Sequence, residues 1–94
     1  MPTFNIANEK IQGVDVVIII LDSSFETKNK QGQDEIISEF QKRAIASGFR
    51  GEVVPIWDGG GGRIHFKAPL QLHPFFSTIT QRYIADHFNK QLSW

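Results

Sequence analysis

Asp22, Ser23, Ser24, Asp58 and Arg63 are the residues whose types and spacing could serve a ligand, because they stand where two apolar stretches end and a run of glycines begins. Carboxylates and hydroxyls are hard oxygen donors suited to Mg²⁺ or Ca²⁺, with Asp22, Ser24 and Asp58 as the metal set. The backbone N–H groups of Gly59, Gly60, Gly61 and Gly62, together with the Arg63 guanidinium, are instead the parts of a phosphate cradle. Against both stands a structural reading. In it Asp22 and the serines cap a loop, Asp58 pairs with Arg63, and the glycines turn the chain.

Two known patterns bear on this stretch. Asp22 and Ser24 match the first two positions of the Asp-x-Ser-x-Ser metal motif of von Willebrand factor A domains, and the resemblance implies a cation at a strand end. Glu26 replaces the second serine, however, and the chain has about half that domain's usual length, so the family is not adopted. Nor do the glycines form a P-loop, which needs Gly-Lys followed by Ser or Thr at a strand-to-helix turn; here they lead into Arg63-Ile64.

Arg63, His65 and Lys67 alternate and so form a basic row on one face of a strand. Single-strand nucleic-acid binders pair such a row with stacking aromatics, but the expected pairing puts Trp57 and Phe66 on the opposite face, so nucleic acid is not favoured. His65, His73 and His87 fall at spacings that match no metal motif, and no nucleophile–base set is apparent.

The elements that would position these groups centre on Val14 to Asp22, which holds the longest apolar run of the sequence and reads as a strand buried on both faces. Before it, Phe4 and Ile6 alternate and Asn8-Glu9-Lys10 reads as a polar turn, which offers an extra N-terminal edge strand. Ser23 to Gln33 reads as a mobile crossover loop. A helix over about Gln33 to Ser47 follows, with an apolar stripe of Ile36, Ile37, Phe40, Ala44 and Ile45, and Ser47-Gly48-Phe49 as its stop.

Gly51 to Asp58 and Arg63 to Ala68 then flank the four glycines as a hairpin, with Asp58 opposite Arg63, Trp57 opposite Ile64 and Ile56 opposite His65. Pro55 cannot donate to a ladder and calls for an irregular edge. Pro69 ends the hairpin, and Pro74 opens a second helix running to about Gln91.

The pattern predicts one α/β domain (an α+β two-layer fold) over residues 1–94, of β-α-β-β-α order, with a small mixed sheet and both helices mainly on one face. Ile18 and Phe40 are expected to meet in its core. The second face of the central strand would then be apolar and open.

Ten Lys and Arg balance ten Asp and Glu, which excludes a uniformly basic nucleic-acid or membrane binder. Absence of cysteine suits a reducing compartment, so the chain is expected to be soluble and cytoplasmic, and the apolar run is too short to span a bilayer. The leading expectation is a non-enzymatic protein-interaction or regulatory module, self-associating or bound to a partner through the open sheet face and the C-terminal helix. The alternative is a small phosphate-, nucleotide- or metal-binding domain at the strand ends. No cofactor is expected beyond the Mg²⁺ or Ca²⁺ of that alternative.

Overall fold

Gln12 and Gly13 both have positive φ, 51° and 79°, the combination that a two-residue hairpin turn of the favoured twist requires. In the computed structural model, which describes residues 3–60, 63–68, 70–79, 81–88 and 90–93, this turn joins β1 (Thr3–Ile11) to β2 (Val14–Leu21), antiparallel from Ile11↔Val14 to Ile6↔Ile19. Asn8-Glu9-Lys10 is therefore mid-strand, not a turn. The Asn8 side-chain amide donates to the carbonyls of Val16 and Arg50 at 3.0 and 2.8 Å, tying the hairpin to the approach of the next strand.

That strand, β3 (Glu52–Asp58), runs parallel to β2 from Val16↔Glu52 to Leu21↔Trp57. Gly51 permits the entry: its φ is +111°, and a Cβ there would fall far inside contact with the Asp15 carbonyl. With β4 (Ile64–Phe66) and β5 (Lys90–Ser93) the chain forms a five-stranded mixed sheet of order β4-β3-β2-β1-β5, an α+β fold with β2 at its centre. The N-terminal strand is not at the edge, because β5 pairs along its outer side from Thr3↔Ser93 to Ile6↔Lys90.

The sheet is buried on both faces, as an uninterrupted apolar strand demands. One face carries Ile6, Val17, Ile19, Val53 and Leu92 against Phe40 and Ala44 of α1 (Lys30–Ala46). The other carries Ala7, Ile11, Val16, Ile18, Val54 and Ile56 against Leu72 and Phe76, with Phe75, Ile79, Tyr83 and Phe88 packed around them. The helical segments are thus divided between the faces and do not share one. Neither face of β2 is left bare: Val16, Val17, Ile18 and Ile19 are all fully buried. Ile18 and Phe40 are both core residues, but on opposite sides of the sheet.

Asn29 sets the start of α1 three residues before the expected one, its side chain accepting from the Gly32 N–H at 2.8 Å. Gly48, at φ 87°, ends the helix as expected, with the Phe49 N–H returning to the Ala44 carbonyl. The long second helix is instead broken. A 3₁₀ turn (Leu70–Leu72) leads into α2 (His73–Phe76), the chain pauses at Ser77–Ile79, and α3 (Gln81–His87) precedes β5. Ser77, Thr78 and Ile79 are poor helix formers, and the Thr78 hydroxyl bonds back to the Phe75 carbonyl at 2.8 Å. Pro69 and Trp94 lie outside the described residues.

β4 is short, so part of the β3 edge would be open. The Gln41 side chain fills that gap: the Val53 N–H donates to its Oε1 and its Nε2 donates to the Gly51 carbonyl, both at 2.9 Å. Pro55 sits at this margin, where it has no N–H to lose and its carbonyl accepts from the Lys67 N–H at 3.1 Å. An amide side chain and a proline together blunt the edge.

Candidate functional site

The glycine turn closes one residue later than the sequence suggests. The Gly59 N–H donates to the Arg63 carbonyl at 2.9 Å and the Arg63 N–H to the Gly60 carbonyl at 3.1 Å, so Arg63 belongs to the turn. The ladder becomes Asp58↔Ile64, Trp57↔His65 and Ile56↔Phe66. A one-residue slip exchanges the faces. Ile64 and Phe66 join the core beside α2, while His65 and Lys67 turn toward α1 on the same side as Trp57.

Acids meet that pair of bases. His65 Nδ1 contacts Glu26 Oε1, and Lys67 Nζ reaches Asp34 Oδ1 at 3.0 Å and Gln33 Oε1 at 3.5 Å. Arg63 is exposed, and Asp58 is opposite Ile64 in the ladder rather than Arg63. The basic row is thereby divided into one exposed residue and two that are tied to carboxylates.

At the other strand end, Asp22 caps a 3₁₀ turn over Ser23–Thr27. Its Oδ1 accepts from the Ser24 N–H at 3.0 Å and from the Ser23 hydroxyl at 3.5 Å. Asp58 Oδ1 accepts from the Gly60 N–H at 2.8 Å. Asp22 and Asp58 follow a paired Leu21↔Trp57 at neighbouring strand ends, yet each carboxylate turns back on its own loop. The Gly59 and Gly60 amides are both consumed in the turn, and Gly61 and Gly62 lie outside the described residues. Among the described residues no group of three or more His, Cys, Asp or Glu is placed to hold a metal ion.

The segment expected to be a mobile crossover is pinned. Phe25 is buried against Trp57, with ring centroids 4.8 Å apart, and the Gln33 side chain donates to its carbonyl at 3.1 Å. The Trp57 indole N–H is buried without a hydrogen-bond partner among the described residues.

Pinning this turn creates a crevice of about 200 Å³ at the carboxyl end of β2. Phe4, Phe25 and Phe40 wall it, with Phe4 edge-on to Phe40 at 4.8 Å, and Leu21 and Ile36 add aliphatic surface. Asp22, Ser24 and Lys28 supply its polar groups. Asp22 and Ser24 were legible as strand-end residues. Phe4, Lys28 and Phe40 were not, because they come from β1, the far end of the 3₁₀ turn and α1.

A second, more polar cleft of about 380 Å³ lies beside the β3 edge between Asp34, Ile37, Glu52, Val53, Lys67 and Ala68, where the Lys67–Asp34 pair occupies two of the three charges. No helix among the described residues is long and apolar enough to cross a membrane. No protein-family profile matches the chain, and no curated protein or solved structure matches it at a significant level.

Proposed function

We propose that this chain is a non-enzymatic protein-interaction module that takes an apolar anchor side chain of a partner into the crevice at the carboxyl end of β2. The observation that carries the reading is the size and lining of that crevice. At about 200 Å³ it is smaller than the roughly 300 to 1,000 Å³ of small-molecule pockets. It is walled by three phenylalanines, the kind of pocket in which one buried anchor supplies much of an interface's energy. The interaction surface differs from the one the sequence offered, since the chain's own C-terminal segment covers the second face of β2 and removes that route to self-association.

Titrating the ¹⁵N-labelled protein with N-acetyl-phenylalaninamide, a capped anchor residue, tests this. Saturable shifts confined to Phe4, Ser24, Phe25, Lys28, Ile36 and Phe40 support the reading, and their loss in Ile36→Glu, with melting temperature held as a control, strengthens it. Scattered or absent shifts at millimolar ligand refute it. The ion-binding alternative predicts a different result: a rise in melting temperature with Mg²⁺, Ca²⁺ or inorganic phosphate that Asp22→Asn, Asp58→Asn or Arg63→Ala abolishes.

A further inference from the structure

We infer that the partner segment entering this crevice is an extended peptide whose apolar anchor lies between a basic and an acidic residue, the basic one meeting Asp22 and the acidic one Lys28. The inference rests on the anchor reading above and specifies its partner. Asp22 and Lys28 both line the crevice but are not paired with each other, and among the described residues none bonds to the Lys28 ammonium. Both are exposed. Asp22 spends one oxygen on the Ser24 and Ser23 donors.

Their separation selects the class of ligand. Asp22 is the N-cap and Lys28 the C-cap of a five-residue 3₁₀ turn, six residue steps apart and so about 12 Å apart at ~2.0 Å per residue. A free amino acid holds its ammonium and carboxylate on one carbon and cannot reach both ends. An extended peptide advances about 3.3 Å per residue with successive side chains on opposite faces, so side chains four positions apart span about 13 Å and share a face with the residue midway between them. The aromatic walls lie in the same crevice and would receive the residue between them.

The capped pentapeptide acetyl-Arg-Ala-Phe-Ala-Glu-amide and its neutral analogue acetyl-Gln-Ala-Phe-Ala-Gln-amide provide the test, by NMR titration on the whole chain. The charged peptide should bind more tightly, by about 2- to 5-fold for each exposed pair at low salt, with the advantage lost near 1 M salt. Lys28→Glu should remove the advantage of the acidic residue, and a peptide with Lys in place of its Glu should restore binding to that variant. Asp22→Asn, which keeps the cap acceptor, should remove the advantage of the arginine.

Equal binding of the charged and neutral peptides, or failure of the charge exchange to rescue Lys28→Glu, overturns the inference and leaves the anchor reading standing. Tighter binding of free phenylalanine than of either peptide overturns the assignment of a peptide partner. Absence of binding by every probe, including the capped amino acid, overturns both.

Discussion

Replacing Phe76 with alanine is the sharpest test of how the second face of the sheet is covered. Phe76 is 1 % exposed and belongs to the cluster of Val16, Ile18, Val54 and Ile56; its ring lies 5.5 Å from that of Phe66 and 5.1 Å from that of Phe75. A buried Phe→Ala change costs about 3 to 5 kcal/mol in lost transfer energy and cavity. At about 0.05 to 0.15 kcal/mol per residue, a 94-residue chain has only about 5 to 14 kcal/mol of stability in total. Unfolding entropy near 2.1 cal/mol/K per residue converts the loss to a fall in Tm of about 15 to 25 °C. Circular dichroism melts and urea titrations read it, and increased binding of a hydrophobic dye would report the uncovered face. Leu70→Ala, at a position 81 % exposed, should change stability by less than about 0.5 kcal/mol. If Phe76→Ala costs under about 1 kcal/mol, α2 does not seal the sheet and the argument against association through that face fails.

Other outcomes follow from named contacts. Gly51→Ala should cost well over the ~1 to 2 kcal/mol of Gly13→Ala in urea denaturation, because both glycines have positive φ but only at Gly51 would the new methyl strike the Asp15 backbone. Gln41→Ala should lose about 1 to 3 kcal/mol and raise self-association in light scattering, since it bares the Val53 N–H at the β3 edge; unchanged scattering at full stability would contradict the edge role. Ile18→Ala and Phe40→Ala should each cost about 2 to 5 kcal/mol and add within about 0.5 kcal/mol, because they belong to clusters on opposite faces; strong coupling would place them together. Burial, and secondarily Glu9, raises the Tyr83 hydroxyl above its usual pKa of 10.0. Above pH 10 the folded state therefore holds a proton that the unfolded chain has lost. Stability should fall as pH rises past 10, and Tyr83→Phe should flatten that slope.

The parts of the fold legible in the sequence are those with one dominant local signal. Val16 to Leu21 is apolar without a break, and α1 carries its stripe and its Gly48 stop. The hairpin register was not legible, because four glycines can close in more than one way and β3 is buried at every position from Val53 to Trp57, so no alternation fixes which residues face which side. The start of α1 was hidden in the polar run Asn29 to Gln33, where one side-chain cap outweighs composition. β5 has a single buried apolar residue, Leu92, and owes its conformation to the waiting edge of β1. The site divides the same way. Asp22 and Ser24 follow from the rule that ligands gather at strand carboxyl ends, whereas the aromatic walls exist only once β1, the 3₁₀ turn and α1 are assembled.

The pairing of β1 with β5 also gives the molecule a timetable. Thr3 lies opposite Ser93, so the outer edge of β1 is completed by a strand made about 90 residues later. At about 5 to 20 residues per second, the outer edge of β1 waits roughly 4.5 to 18 s during synthesis for its partner. Closing so long a loop adds little to the equilibrium cost, which grows only with the logarithm of its length. The interval is nonetheless one in which a nascent chain presents an unpaired strand to its neighbours, and the residues that end it, Lys90 to Ser93, are too few to begin a sheet on their own.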